Sequence, residues 1–251
     1  MILLTGHGAL AKAISDICPV NILSVRSVDD NVVAEEFRKS DIIIHNAAGI
    51  KCDDYQKANV KLTRRLLHLR NLHNPKSRFV YISSMSFLDP ENCQQIRPDM
   101  SDYARSKFDA ETMVLAEHQL SVRFSTLFYK DPARDGLSAL IDAAMRDKLV
   151  TLLNDGEDRR DWLPIDKAAE VLLNVIAEEC SDIVTIASGT SLSFRDIAGR
   201  LGVEVVYKEA TTHPVLCEFA GPGVIKSGVE WTWKAIDDYA LLLRAGKIYT
   251  A

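Results

Sequence analysis

Short apolar runs alternate with longer segments of helical periodicity through the first half of the chain. The runs that predict buried strands are residues 2–4, 20–25, 41–45, 79–82 and 122–128, and the segments that predict helices are 9–17, 32–39, 55–72 and 103–119. Apolar strands that alternate with helices form a parallel sheet covered on both faces. The pattern therefore predicts an α/β fold with a Rossmann-type, doubly wound parallel sheet.

The alternation weakens after residue 129. The capping pattern Ser193-x-x-Asp196 predicts a late helix start, and Leu241-Leu242-Leu243 predicts a core-facing helix that could also serve a homodimer. The rest of the tail, with Gly221-Pro222-Gly223, is expected to be irregular. We predict a dinucleotide-binding Rossmann domain, residues 1–129 plus 161–188, and a small C-terminal substrate-binding lobe, residues 130–160 plus 189–251.

Composition narrows the classes of function. The chain has 251 residues, a formal net charge of −5 and five cysteines. The absence of a basic stripe argues against a nucleic-acid partner. The odd number of cysteines, none at C-x-x-C spacing, argues against a disulfide framework or a zinc site and favours a reducing, cytoplasmic location. No apolar run approaches the roughly 18 residues of a membrane span, so we expect no membrane partner.

A glycine-rich loop, Gly6-His7-Gly8-Ala9-Leu10-Ala11, follows the first predicted strand and opens the first predicted helix. This G-x-G-x-x-A order, in this setting, is typical of dinucleotide binding. The first glycine permits the tight turn, and the second lets the backbone approach a pyrophosphate at the helix N-terminus. A glycine turn without a ligand is the alternative. The loop residues predicted to bind the cofactor are Gly6, His7, Gly8, Ala9 and Leu10.

The end of the second strand bears on the choice of cofactor. This position usually carries an acidic residue that holds the ribose diol of NAD, but here it reads Ser24-Val25-Arg26-Ser27. Arg26 can pair with the 2′-phosphate of NADP, because a guanidinium matches phosphate oxygens. We therefore expect NADP(H). NAD(H) is the alternative, in which Arg26 is a solvated charge and Asp29 or Asp30 reaches a ribose.

Tyr103-Ala104-Arg105-Ser106-Lys107 places a tyrosine and a lysine four residues apart at the start of a predicted helix. Both side chains then lie on one helix face, where a lysine cation can lower the pKa of the phenol from about 10 towards neutrality. Such a tyrosine can exchange a proton with a hydroxyl or carbonyl while hydride moves to or from nicotinamide. Ser83 and Ser84 end a predicted parallel strand, where ligands gather in open α/β sheets, so they are candidates to bind a substrate oxygen.

The order of these motifs resembles the extended short-chain dehydrogenase/reductase family, the NAD-dependent epimerase/dehydratase type that acts on nucleotide sugars. The resembling segments, besides the glycine loop, are His45-Asn46-Ala47-Ala48, Tyr81-Ile82-Ser83-Ser84-Met85-Ser86 and Ser101-Asp102-Tyr103-Ala104-Arg105-Ser106-Lys107. The resemblance implies that Ser84, Tyr103 and Lys107 are catalytic and that Lys107 also binds the nicotinamide ribose. The remaining predicted site residues are Asn46, Ala47, Ala48, Ser83, Tyr103 and Tyr129 for the cofactor, and Ser84, Met85 and Ser86 for the substrate.

Later segments resemble the same family. Gly156–Asp166 resembles its R-D-(F/Y)-x-x-V-x-D segment, which implies that Arg160 contacts the phosphates of a sugar nucleotide. Arginine suits that role because it binds diphosphate in a bidentate way. The alternative is that Arg160 pairs on the surface with Asp158 or Asp161. Further resembling segments are Ile183–Gly189 with Leu192-Ser193, and Trp231-Thr232-Trp233 near the C-terminus.

The chain also departs from the family pattern. The glycine loop is one residue shorter than T-G-x-x-G-x-x-G, and the stretch from Arg26 to Asp41 is too short for the usual extra strand with its adenine-contacting aspartate. Ser125–Pro132 lacks the arginine and the asparagine of R-x-x-N-V-Y-G-P. Met85-Ser86 follows Ser84 where a sugar dehydratase would carry an Asp-Glu pair, which disfavours dehydration.

These features predict an NAD(P)-dependent oxidoreductase with a Ser–Tyr–Lys mechanism. Because Arg26 favours NADP, we expect an NADPH-dependent ketoreductase that acts on a nucleotide-linked sugar. An NAD-dependent nucleotide-sugar epimerase is the first alternative, and a catalytically silent NADP(H)-binding sensor or scaffold is the alternative from another class. No metal is expected, because the histidines have no metal-ligand spacing.

Overall fold

The computed structural model describes residues 1–49, 52–89, 95–178, 182–210 and 224–247. They divide into two compact units. The first unit comprises the described parts of Met1–Leu88, Gln95–Phe124 and Ala168–Ile186, and the second those of Ser125–Lys167 and Ala187–Ala251. In this part of the chain no helix is both long enough and apolar enough to span a membrane.

The elements in chain order are β1 (Ile2–Leu4), α1 (Ala9–Ser15), β2 (Asn21–Ile22), α2 (Asp30–Lys39), β3 (Ile42–His45), a π-helical segment (Gln56–Lys61) that continues into α3 (Leu62–His73), β4 (Arg78–Ile82), α4 (Asp102–Ala116), β5 (Leu120–Phe124), β6 (Thr126–Phe128), α5 (Gly136–Asp147), β7 (Leu149–Leu153), β8 (Arg159–Pro164), α6 (Ile165–Ala177), β9 (Ile183–Ala187), β10 (Ser191–Ser193), α7 (Phe194–Leu201), β11 (Glu204–Lys208), β12 (Val224–Lys226) and α8 (Val229–Arg244).

The first unit is built on a parallel sheet, in which six strands lie in the order β9-β5-β4-β3-β1-β2. Every neighbouring pair among these six is parallel. The inner strands are buried on both faces, which explains why they appear in the sequence as short continuous apolar runs. The predicted Rossmann-type sheet is confirmed. The carboxyl ends of β1, β3 and β4 share one edge, so the glycine loop, Asn46 and Ser83-Ser84 all follow strands at that edge.

The second unit has two small sheets. In one, β8 pairs in parallel with β6 and antiparallel with β10, and in the other β7 pairs in parallel with β11. Helices α5, α7 and α8 contribute an apolar core together with these strands; its buried residues include Phe128, Leu137, Ile141, Trp162, Ile197, Ile236 and Tyr239. The predicted capping box is present: Ser193 and Asp196 each accept a hydrogen bond from the other's backbone N–H at the start of α7.

Several sequence-based boundaries differ from the structure. The single strand predicted over residues 122–128 breaks at Ser125 into β5 and β6, which belong to different sheets, so the units separate at Phe124. The tail expected to be irregular apart from its helices contains the strands β11 and β12, and β11 obtains its partner, β7, from a distant segment of the chain. Residues 221–223 lie outside the described residues, as do three of the five cysteines.

Leu241-Leu242-Leu243 does lie on a helix, α8, but the expectation that it faces the core is wrong for two of the three residues. Leu241 is 65% exposed and Leu242 is 38% exposed, whereas Leu243 packs partly against the core of the second unit. An α-helix directs consecutive residues about 100° apart, so three leucines in a row cannot all face one core.

Candidate active site

The predicted catalytic helix, α4, begins directly after a serine that caps its N-terminus. Ser101 is the N-cap and its hydroxyl accepts a hydrogen bond from Ala104 N at 3.2 Å. Tyr103 therefore lies in the first turn and Lys107 one turn further on the same face. Tyr103 is half-buried, whereas Lys107 is only 2% exposed. A side chain that ends in an ammonium group is rarely so buried without a partner that orients it.

Lys107 finds its partners at the end of β4. Its Nζ donates a hydrogen bond to the carbonyl of Ile82 at 2.6 Å and lies 4.1 Å from the ring centre of Tyr81. Burial lowers the pKa of Lys107 to about 7, against the attraction of Glu111, which raises it. The amine is thus held at the strand end from which Ser83 and Ser84 emerge.

Tyr103 and Ser84 meet at the same place. Burial raises the pKa of the Tyr103 phenol, a hydrogen bond with the Ser84 hydroxyl opposes this rise, and the nearby Tyr55 adds to it. The Tyr55 ring stands edge-on to Tyr103 with 5.9 Å between centroids. The expected lowering of the Tyr103 pKa by Lys107 is therefore wrong, because the effect of burial, which raises the pKa, dominates.

The segment after β4, residues 83–86, contains both buried and exposed side chains. Ser84 Oγ donates to Ser86 Oγ at 3.0 Å and accepts a hydrogen bond from Ser86 N at 3.1 Å. Ser86 is exposed, but Met85 is 4% exposed and packs in the interior. Ser83 is also buried, and its hydroxyl has no hydrogen-bond partner among the described residues.

Sequence reasoning missed Asn59, which ties the loop after β3 to the catalytic helix. Its carboxamide exchanges hydrogen bonds with Gly49, accepting from the backbone N–H at 2.7 Å and donating to the carbonyl at 3.2 Å. Its Nδ2 also donates to Ser106 Oγ at 2.9 Å, and that hydroxyl donates to the Tyr103 carbonyl at 2.8 Å. Asn59 lies in the π-helical segment, a distortion that is frequent at functional sites. A polar asparagine inside an otherwise helical segment was the one available signal.

The two glycines of the loop differ in how closely other atoms surround them. A Cβ on Gly6 would lie 3.1 Å from Ala47 Cα, so the close approach of the loop to the end of β3 requires glycine there. A Cβ on Gly8 would meet nothing within 4 Å. Asn46 Nδ2 donates to the Gly6 carbonyl at 3.2 Å, while its Oδ1 is buried without a partner among the described residues. The open space at Gly8 and the unpaired polar atoms of Asn46 and Ser83 fit a bound dinucleotide.

His45, the last residue of β3, has a hydrogen-bond partner at each of its two ring nitrogens. Its Nδ1 lies 2.8 Å from Thr5 Oγ1, and its Nε2 lies 3.0 Å from Thr63 Oγ1. Because the Thr63 hydroxyl donates to the Asn59 carbonyl at 2.7 Å, it accepts from His45 Nε2–H, and Nδ1 accepts from Thr5. Burial, with the nearby charges of Lys107 and Arg26, lowers the pKa of His45 to about 3. His45 is therefore a neutral structural bridge.

The loop that carries Arg26 is held from α3. Arg65 donates hydrogen bonds to the carbonyl of Val25 at 2.8 Å and to that of Val28 at 3.0 Å, and it pairs with Asp30. Asp29 accepts from Asn31 N at 2.8 Å and caps α2. Both acidic residues that were candidates for a ribose are thus already engaged. Arg26 is exposed and makes no hydrogen bond or ion pair with the described residues.

Tyr129 and Arg160 belong to the second unit. Both are half-buried; Tyr129 N donates to Asp135 Oδ2 at 2.9 Å and the Arg160 guanidinium donates to the carbonyl of Arg159 at 2.9 Å. Asp161, the alternative surface partner of Arg160, is instead fully buried and accepts from Ser188 N at 2.8 Å and Gly189 N at 2.9 Å. That surface pairing with Asp161 is therefore wrong.

A cavity of about 490 Å³ also lies within the second unit, lined by α5, by β7 and by Asp158 and Phe194. Neither Tyr129 nor Arg160 lines it. The described part of the chain holds no group of three or more histidine, cysteine or acidic side chains arranged to bind a metal ion.

Comparison with known proteins gives one family match. The model of the NAD dependent epimerase/dehydratase family matches residues 7–187. Peramine synthetase A of Epichloe festucae (strain Fl1) is 30% identical over 59% of this chain, which corresponds to 6% of that protein. The chain spans less than a tenth of the length of the curated relatives it matches.

Two solved structures share the fold. MoeE5, in complex with UDP-glucose and NAD, aligns with a TM-score of 0.74 and 18% identity over 98% of this chain and 99% of that one. A dTDP-4-dehydrorhamnose reductase from Clostridium acetobutylicum aligns with a TM-score of 0.73 and 19% identity over 97% and 99% of the two chains.

Proposed function

The chain belongs to the NAD-dependent epimerase/dehydratase family, and from that premise we propose that it is an NADPH-dependent ketoreductase acting on a nucleotide-linked sugar. The observation that carries the proposal is the meeting of three groups at the end of β4. The Ser84 hydroxyl opposes the rise of the Tyr103 pKa, and Lys107 is anchored to the Ile82 carbonyl. This is an arrangement that can handle the proton of a carbonyl or hydroxyl group.

The direction of proton transfer follows from the state of Tyr103. Because its pKa is raised, the phenol keeps its proton at neutral pH and can donate it to a ketone oxygen. Ser84 orients that oxygen by a hydrogen bond. Lys107 would hold the nicotinamide ribose and would stabilise the phenolate left behind. The cofactor, when bound, supplies the hydride. A proton donor is what a reductase needs, whereas alcohol oxidation starts with a proton acceptor.

The preference for NADPH rests on the loop after β2. Arg26 is exposed, and Arg65 holds its loop in place, so its guanidinium is available to a 2′-phosphate. Asp29 and Asp30, which would favour an NAD ribose, are committed to a helix cap and an ion pair. MoeE5 binds NAD, so both nicotinamide cofactors belong in the test.

The nucleotide-sugar substrate is supported by the fold neighbours. MoeE5 is in complex with UDP-glucose, and the Clostridium protein is a dTDP-4-dehydrorhamnose reductase. Arg160 would bind the diphosphate of such a substrate, because a guanidinium binds diphosphate in a bidentate way.

A second candidate substrate comes from sequence identity. The match to a segment of Peramine synthetase A has 30% identity, above the 18% and 19% of the two fold neighbours. The same Ser84, Tyr103 and Lys107 chemistry would then reduce a carbonyl group on an intermediate of a larger synthetase. This candidate keeps the reaction type and changes the substrate.

The cofactor claim is tested by titrating the protein with NADPH and with NADH and following nicotinamide fluorescence. We expect tighter binding of NADPH, and a roughly tenfold loss of NADPH affinity in Arg26→Ala with NADH affinity unchanged. Arg64→Ala, which removes an exposed arginine from α3, is the matched control and should change neither affinity. Equal affinities for the two cofactors in the native protein would reject NADPH specificity.

The substrate claim is tested by following NADPH consumption with UDP- or dTDP-linked 4-keto sugars. Turnover with these sugars, but not with the free keto sugars, supports the nucleotide-sugar reductase. Interconversion of sugar epimers without net NADPH consumption would establish the epimerase instead. Binding of NADPH without turnover of keto sugars or of other carbonyl compounds would favour the sensor or scaffold.

A further inference from the structure

A second buried charged group lies one turn beyond Lys107 on α4. Glu111 is 1% exposed, and both of its carboxylate oxygens are engaged. Ser121 Oγ donates to Oε2 at 2.8 Å, and Arg123 donates to Oε1 at 2.5 Å and to Oε2 at 3.0 Å. None of these three residues takes part in the proposed reaction. Glu111 lies on α4, and Ser121 and Arg123 lie on β5.

Such a buried assembly is weak evidence for a stabilising role. Removing a carboxylate and a guanidinium from water costs free energy that their mutual attraction often fails to recover, and apolar pairs of similar volume are frequently as stable. Lys107 and Glu111 lie on the same helix face, four residues apart, and both are buried. In a low-dielectric interior, charges that do not touch still interact appreciably.

We propose that Glu111, held by Arg123 and Ser121, is a positioning residue that favours the charged form of the buried Lys107 amine and acts on the reaction only through Lys107. The inference rests on the proposed function for what Lys107 then does. No direct ion pair joins Lys107 and Glu111 in the described part of the chain, so the influence of Glu111 is electrostatic.

The other titratable groups around Lys107 do not supply this charge. From β4, Tyr81 presents its ring face to Nζ, and burial raises its pKa well above its usual value. From β3, His45 is neutral. On α4 itself, Tyr103 is a neutral phenol with a raised pKa. Among the described residues, Glu111 is the carboxylate that raises the pKa of Lys107, against its burial.

The test measures the pH dependence of unfolding. The pKa of Lys107 is about 7 in the folded protein and 10.5 when unfolded, so between these values the unfolded state holds a proton that the folded state has lost. Stability attributable to Lys107 therefore rises as the pH increases above about 7. Urea titrations at intervals from pH 5.5 to about 9 give the pH at which this rise begins, and Lys107→Met removes the rise.

Glu111→Gln is expected to move the start of the rise about one pH unit lower, because Lys107 then loses its proton more readily. The comparison is a double-mutant cycle at each pH, with Glu111→Gln measured in the native and in the Lys107→Met backgrounds. Ser121→Ala is the matched control: it removes one bond to Glu111 but keeps the carboxylate, so the start of the rise should not move. A Glu111→Gln effect that is identical at every pH, with or without Lys107, would overturn the proposal.

If Glu111→Gln does not fold, Arg123→Met tests the same idea. It removes the cation bound to Glu111, so the rise is expected to begin at a higher pH where Glu111 stays ionised and at a lower pH where the unpaired Glu111 takes up a proton. An unmoved start rejects the proposal. These measurements need neither cofactor nor substrate. Their outcome is therefore separate from that of the NADPH titration, which tests the proposed function.

Discussion

The two units of the chain differ in the burial of their candidate functional side chains. In the first unit, Lys107, Glu111, Asn59 and His45 are each no more than 2% exposed, and hydrogen bonds from neighbouring elements hold each of them in one geometry. In the second unit the predicted ligand-binding residues, Tyr129 and Arg160, are half-buried, although Asp161 is buried and hydrogen-bonded. A buried polar network in which every group is hydrogen-bonded makes the surrounding core rigid, so it fixes the positions of the side chains in it.

Under the proposed function, this difference separates two roles. Proton transfer needs fixed distances and a controlled dielectric, which the interior of the first unit would supply around α4 and β4. Substrate recognition needs accessible polar side chains, which the half-buried Tyr129 and Arg160 of the second unit would supply. We therefore expect changes in the first unit to alter turnover, and changes in the second to alter substrate affinity.

The largest effect is expected from Tyr103→Phe. Loss of the proton donor should lower kcat about a thousandfold, while NADPH affinity stays close to that of the native protein. Tyr81→Phe is the matched control, because the Tyr81 hydroxyl is buried and has no hydrogen-bond partner among the described residues. Steady-state kinetics and a fluorescence titration separate the two effects. Similar losses of kcat in both variants would show that the hydroxyl of Tyr103 has no special role.

A smaller effect concerns stability and is confined to the first unit. The pKa of His45 is lowered from 6.5 to about 3, so between these values the unfolded state binds a proton that the folded state does not. His45 should therefore contribute a loss of stability of up to about 1.4 kcal/mol for each pH unit below 6.5. Urea unfolding of the native protein and of His45→Asn measures the difference, which should shrink as the pH falls from 6.5 to 5. A constant difference would mean that His45 binds a proton as readily in the folded protein as in the unfolded chain.

The smallest effect is expected in the second unit. Arg160→Ala should raise KM for a nucleotide sugar about tenfold and leave kcat nearly unchanged, because a phosphate contact remote from the reacting carbonyl binds substrate and transition state alike. Arg159→Ala is the neighbouring control: it removes an adjacent arginine, bonded to Asp196 and the Ser191 carbonyl, that is not predicted to contact the substrate. A fall in kcat in Arg160→Ala would break the division of roles between the two units.

Local pattern alone predicted much of the first unit. The parallel sheet follows from the apolar runs, and the meeting of Ser84 with Tyr103 and Lys107 follows from two features: residues four apart share a helix face, and the ends of parallel strands share a sheet edge. The role of Gly6 could also be read from the sequence, because a tight turn next to a strand requires a residue without a side chain.

The tertiary structure alone decided what depends on residues far apart in the chain. The pairing of β6 with β8 breaks the strand predicted over residues 122–128, and β11 is a strand because β7 pairs with it. Asn59, Arg65 and Glu111 acquired roles through partners that no local pattern identifies. The same holds for Tyr103: sequence spacing predicts a lysine that lowers its pKa, but the depth of burial, which only packing determines, raises it.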